Sequence, residues 1–124
     1  MDETIASTHA KTTKLGVHQV VAELNDGLGA TLVALLAAVR DRKLPYKWAK
    51  PNGPVPGPES YRRLQAAHRA WTLIRQADDD YVARNWFIGA NPRLNEQPPV
   101  MRLRDGDVPA VMAAAQAFVD GMDE

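Results

Sequence analysis

Apolar residues recur along most of this chain at helical intervals. Val17, Val20, Val21, Leu24 and Leu28 fall at i, i+3, i+4, i+7 and i+11, which puts them on one face of an α-helix. Gly27 and Gly29 punctuate that pattern. Leu32, Val33, Leu35, Leu36 and Val39 then predict a second, more apolar helix lying deep in the core, and Arg40-Asp41-Arg42 breaks it. A short third helix follows, with Pro45 tolerated in its first turn. Residues 51–58, PNGPVPGP, hold four prolines and two glycines, a composition that neither helix nor strand survives.

Beyond that loop, Pro58-Glu59 opens a long helix with Tyr61, Leu64, Ala67, His68, Trp71 and Ile74 on its apolar face. Asp78-Asp79-Asp80 predicts the capped start of a fifth helix, because carboxylates satisfy unpaired N–H groups and face the positive end of the helix dipole. That helix carries Val82, Trp86 and Phe87 and ends between Gly89 and Pro92. Pro98-Pro99 starts a short one closed by Gly106. The last has Val108, Val111, Met112, Ala115, Phe118 and Val119 at helical spacing. No alternating strand pattern of useful length occurs. The expected fold is all-α: a single compact domain of about seven helices, two of them short. A polar arm over residues 1–14 is expected to be mobile.

Size and composition narrow the class. At 124 residues and 45% hydrophobic, the chain fits one domain with its own core. With no cysteine it has no disulfide, thiolate metal site or cysteine nucleophile. The acidic start Met1-Asp2-Glu3 and the absence of a long apolar run point to a soluble cytoplasmic protein that does not enter a membrane. The formal net charge is zero, but it is unevenly distributed. Residues 27–75 carry 9 basic and 2 acidic side chains, net +7, and residues 76–124 carry 4 basic and 9 acidic, net −5. A basic middle is set against an acidic C-terminal half.

The basic middle has the order of a helix-turn-helix: apolar Ala30–Val39, a polar turn at Arg40–Arg42, and a second helix from Lys43 to Lys50. If Leu44 and Trp48 pack inward, Lys43, Tyr46, Lys47 and Lys50 face out, with Arg40 and Arg42 beside them as phosphate contacts. Two readings stay open: a DNA-binding face, or a solvated basic face beside a core tryptophan. The turn lacks the glycine that often opens the motif, and Pro45 leaves room for fewer than two helical turns before Pro51.

The acidic half has an ordered set of features: the pair Trp86-Phe87, then Asn91-Pro92-x-Leu94, then Pro99-x-x-x-Leu103, then an amphipathic helix ending at Gly121. In this order they resemble the toxin-binding domain of the Xre/MbcA/ParS antitoxins. Residues 28–56, with Trp48 near the end of the second helix, are similar to that family's degenerate Xre-type helix-turn-helix. The likeness spans residues 15–121. It implies an Xre-like region over 15–57, a toxin-binding region over 58–124, and a type II antitoxin that neutralises a RES-domain toxin. Such toxins resemble ADP-ribosyltransferases and act on NAD. The resemblance further implies occlusion of the toxin's active site by the C-terminal segment, with homodimers or hetero-oligomers and, in some members, repression of the operon through operator DNA.

The toxin-binding residues implied are Trp86, Asn91, Arg93, Phe118, Asp120, Met122, Asp123 and Glu124. The acidic end suits a cleft whose basic residues hold a pyrophosphate, although an acidic tail also serves solubility alone. Deleting residues 116–124 is expected to abolish neutralisation and leave the fold largely intact. The alternative function is a stand-alone helix-turn-helix transcriptional regulator.

No enzyme, cofactor or metal is expected. His9, His18 and His68 are far apart and form no ligand spacing. His68 is expected to be packed or at the surface. Asp78–Asp80 lacks EF-hand spacing, and no serine sits in a nucleophile elbow. Arg62, Arg63 and Arg69 are expected to face solvent, or phosphates if DNA is bound.

Overall fold

The computed structural model describes residues 16–121. Seven α-helices follow in order: α1 (Val17–Leu28), α2 (Ala30–Leu36), α3 (Leu44–Ala49), α4 (Pro58–Ala77), α5 (Asp80–Ile88), α6 (Pro99–Arg104) and α7 (Val108–Val119), with a 3-10 turn at Pro92–Leu94 between α5 and α6. No strand occurs among the described residues. None of the helices is long and apolar enough to cross a membrane. The expected 1–14 arm lies outside the described residues.

The middle of α4 forms the centre. Leu64, Ala66, Ala67, His68, Ala70, Trp71, Thr72, Leu73 and Ile74 are all buried, so this stretch is enclosed on nearly every side rather than on one apolar face. The alanines make this possible: small side chains let neighbouring helices approach close to the α4 backbone. α7 packs along α4 most extensively, and α1, α2, α5 and α6 also touch it. One continuous core runs from Val20 in α1 to Ala115 in α7, so the basic and acidic halves share it. Fully burying each Leu or Ile here contributes about 1.5–3 kcal/mol.

Two glycines set the geometry around α1. Gly29 has φ +89°, a conformation that costs any L side chain, and it separates α1 from α2 in a single residue. A Cβ on Gly27 would overlap the Trp71 ring, so its absence lets α1 lie directly on α4. His68 Nε2 and Glu23 Oε1 meet at 2.8 Å in the same contact, and His68 is fully buried. Of the two places expected for it, the packed one is correct.

The second helix is shorter than its apolar pattern predicts. It ends at Leu36, and Val39 lies outside it. Ala38 has φ +65°, Ala38 N–H donates to Leu35 O, and Val39 N–H donates to Ala34 O. These two bonds define a Schellman C-cap. Val39 stays partly buried because it folds back on the core. The stop was hidden because alanine occupies the position where glycine usually signals it.

Asp79 is the N-cap of α5, its carboxylate accepting from Val82 N–H at 2.8 Å. Asp80 pairs instead with Arg75 at 2.7 Å. The aspartate run therefore closes one helix and opens the next.

Candidate functional site

The C-terminal half encloses a cleft of about 190 Å³ lined by Asn85, Trp86, Gly89, Ala90, Asn91, Pro92 and Phe118. Three pieces of chain build it: the last turn of α5, the 3-10 turn, and the last turn of α7. Trp86 sits edge-on to Phe87, with ring centroids 5.1 Å apart and planes at 90°, the arrangement that aromatic quadrupoles favour. Phe87 is fully buried and anchors the pair, whereas Trp86 retains a narrow exposed edge.

Asn91 fixes the floor. Its Oδ1 accepts from Arg93 N–H at 2.9 Å, and its backbone carbonyl accepts from Leu94 and Glu96 N–H. An amide side chain thus caps a turn whose next residues, Asn95 and Glu96, have φ +55° and +68°. Leu94, fully buried, nails the turn to the core. Arg102 clamps it from the other side. Its Nη2 donates to Leu94 O at 2.9 Å, its Nε to Gln97 Oε1 at 2.8 Å, and its Nη1 to Asp107 Oδ2 at 3.2 Å. The planar guanidinium, with five fixed donors, suits such a junction.

Of the residues implied for toxin binding, Trp86, Asn91 and Phe118 line this one cleft. Asn91 is buried and acts as a turn cap, so its contribution to any interface runs through the shape of the cleft. Arg93 is exposed on the same turn. Asp120 is exposed at the end of α7 and accepts from Gln116 Nε2 at 2.8 Å. Met122, Asp123 and Glu124 lie outside the described residues. A deletion of residues 116–124 removes buried Ala117 and the Phe118 wall, so the expectation that it spares the fold is corrected: the cut takes core with it.

The basic segment lies elsewhere. Arg40, Arg42, Lys43, Tyr46, Lys47 and Lys50 are all exposed. Trp48 is buried and Leu44 packs partly buried against the core, as expected, and Pro45 is buried beside them. α3 lies chiefly against α1, where His18 Nδ1 meets Trp48 O at 2.7 Å and Asn25 Nδ2 donates to Pro45 O at 3.0 Å.

Several arginines do work the sequence did not reveal. Arg63 Nε donates to Leu103 O at 3.0 Å, Arg62 Nη1 to Gly106 O at 3.3 Å, and Arg104 Nη1 to Leu35 O at 2.8 Å. Each adds a charged donor to a carbonyl at or just beyond a helix C-terminus that already accepts one backbone N–H, Leu103 O from Gly106, Gly106 O from Val108 and Leu35 O from Ala38. Arg62 is nonetheless exposed, as expected, whereas Arg63 and Arg69 are partly buried. No local spacing signals such contacts, because the partners are 40, 44 and 69 residues apart in sequence.

A second depression, of about 300 Å³, is lined by Glu23, Asp26, Gly27, Trp71, Arg75 and Asp80. Two of its carboxylates have partners within the fold, Glu23 hydrogen-bonded to His68 and Asp80 paired with Arg75. Among the described residues no group of three His, Asp or Glu side chains is arranged to hold a metal ion.

Comparison with protein families, curated proteins and solved structures finds no match to this chain.

Proposed function

We propose that this protein is an antitoxin that binds a RES-domain, NAD-directed toxin and occludes its active site with the C-terminal segment. The observation that carries the reading is the gathering of Trp86, Asn91, Pro92 and Phe118 around one cleft. These residues belong to three of the four sequence features on which the family resemblance rests. A partly exposed aromatic at a cleft wall is the kind of anchor that concentrates binding energy. α7 is held along α4 and is followed by exposed Asp120. A toxin cleft that holds a dinucleotide pyrophosphate with cations offers the complementary charge, which speeds encounter and fixes register.

Co-expression tests this directly. The chain is produced with a RES-domain toxin, and growth, cellular NAD and co-purification are followed. Restored growth with preserved NAD and a stable complex is the expected result. A chain that neither co-purifies with that protein nor preserves NAD sinks the reading.

A second reading, a stand-alone helix-turn-helix regulator, rests on the exposed cations between Arg40 and Lys50. Against it stands α3, whose six residues leave few positions for touching bases.

A further inference from the structure

Several arginines of this protein are committed to its own fold. Arg62, Arg63 and Arg104 bind helix-terminal carbonyls, Arg75 pairs with Asp80, and Arg102 clamps the turn above the cleft. Arg40, Arg42, Lys43, Lys47 and Lys50 are different. Among the described residues, no ion pair or side-chain hydrogen bond engages any of them, and all five are exposed. Arg84 on α5 is the one other unengaged cation among the described residues. Five free positive charges within eleven residues of chain repel one another, and the one carboxylate within that stretch is Asp41. That carboxylate caps the turn by accepting from Lys43 N–H at 2.9 Å.

One large apolar side chain stands among them. Tyr46 is 62% exposed. Lys43 and Lys50, the residues that flank α3, lie at i−3 and i+4 from it, the spacing that places residues near one another on a helix surface, and Lys47 adjoins it in sequence. Its backbone is immobilised, since Pro45 and Trp48 hold the inner side of α3 against α1. The result is an exposed aromatic ring on a held backbone, within a segment of unpaired positive charge.

We infer that this face binds single-stranded nucleic acid, with the phosphates held by Arg40, Arg42, Lys43, Lys47 and Lys50 and an unpaired base stacked on Tyr46. The geometry favours a single strand over a duplex. α3 rises only about 9 Å from end to end, and the turn before it and Pro51 after it close both ends. Base edges in a duplex lie at the bottom of a major groove about 8.5 Å deep, and Lys47 is the one cation within the six residues of α3 to reach them. In a duplex each base face is covered by its neighbours, so Tyr46 gains nothing there. In a single strand the faces are free, and stacking is tolerant of sequence. The inference is independent of the toxin reading, since neutralisation can persist with this face silent.

Fluorescence anisotropy of the full chain with labelled oligothymidylate, and with a mixed-sequence duplex of equal length, tests it. The single strand is expected to bind more tightly, and Tyr46→Ala to weaken it about tenfold while leaving the duplex unaffected. Tyr46→Phe, which keeps the ring, is expected to retain single-strand affinity. Lys43→Ala combined with Lys47→Ala is expected to weaken binding and to flatten the salt dependence by about 0.7 in log–log slope per cation removed. Equal or tighter duplex binding overturns the inference, and so does indifference to Tyr46→Ala. Binding to phosphatidylserine vesicles but not to the oligonucleotide would assign the face to a membrane surface and overturn it as well.

Discussion

His68 Nε2 and Glu23 Oε1 lie 2.8 Å apart and join α4 to α1 across 45 residues of sequence. The histidine is fully buried, while the glutamate side chain is 37% exposed. The carboxylate therefore reaches inward from a partly hydrated position to serve a ring that water does not reach. Burying a polar ring without a partner is costly, whereas a half-exposed carboxylate gives up little hydration to provide one. Glu23→Ala is expected to destabilise the protein by about 1–3 kcal/mol. Glu23→Gln, which keeps an acceptor oxygen, should retain most of the stability. Urea unfolding of both variants decides the matter, and equal midpoints for the two would show that this bond contributes nothing.

The tie between Arg104 and Leu35 makes a comparable prediction at the other end of the bundle. Arg104 Nη1 donates to Leu35 O at 2.8 Å, linking α6 to the C-terminus of α2. A charged donor to a carbonyl contributes about 1.5–3 kcal/mol, and the guanidinium plane fixes its direction. Arg104→Ala is expected to lower stability by about that amount. Arg104→Lys should recover only part of it, because an ammonium on a flexible stem reaches the same oxygen less well. A lysine variant as stable as the parent would reduce the interaction to charge alone.

Ala38 offers the opposite sign. Its φ of +65° places a Cβ where left-handed backbone disfavours one, at a cost of about 1 kcal/mol. The residue is exposed, so the side chain gives no packing in return. Ala38→Gly is therefore expected to raise stability by a few tenths to about 1 kcal/mol, the gain being trimmed by the extra freedom of glycine in the unfolded chain. Thermal unfolding reads the effect as a higher midpoint, and a lower one would show that the Schellman cap is not the dominant constraint there.

What the sequence made legible, and what it hid, follows from the range of the interactions involved. Periodicity located all seven helices, because burial of one face is written every three or four residues. Capping was legible at Asp79 because its donor, Val82, is three residues away. The end of α2 was not, because alanine stands in for the expected glycine. The full enclosure of α4 was hidden too: alanines at 66, 67 and 70 read as neutral spacers until neighbouring helices are seen to close on them. Charge was the least legible property. Arg40 and Arg63 are the same residue type in the same basic block, yet one is free in solvent and the other holds Leu103 O. At the candidate site, chain order pointed to Trp86, Asn91 and Phe118, but not to Arg102, whose partners Leu94, Gln97 and Asp107 come from both sides of it.

Phe118 separates an active contact at the cleft from its supporting frame. The ring lines the cleft beside Trp86 and is only partly buried, so Phe118→Ala should cost modest stability while removing an aromatic anchor. Under the antitoxin proposal, toxin affinity should fall by about 2 kcal/mol, roughly thirtyfold, as for an aromatic hot spot. Asn91→Ala is expected to behave differently. Loss of the Asn91 cap to Arg93 N–H costs about 1 kcal/mol of stability and distorts the cleft, so affinity and unfolding midpoint should fall together. Asn91→Asp keeps the acceptor oxygen and should preserve both. Truncation after Gly121 tests the occluding segment itself, since it spares the whole of α7. That variant should still bind the toxin through the cleft while leaving its NAD-consuming activity substantially intact. Isothermal titration with the purified toxin, paired with an NAD-consumption assay, reads binding and inhibition separately. Full inhibition by the truncated chain would move the site of occlusion away from residues 122–124 and onto the cleft.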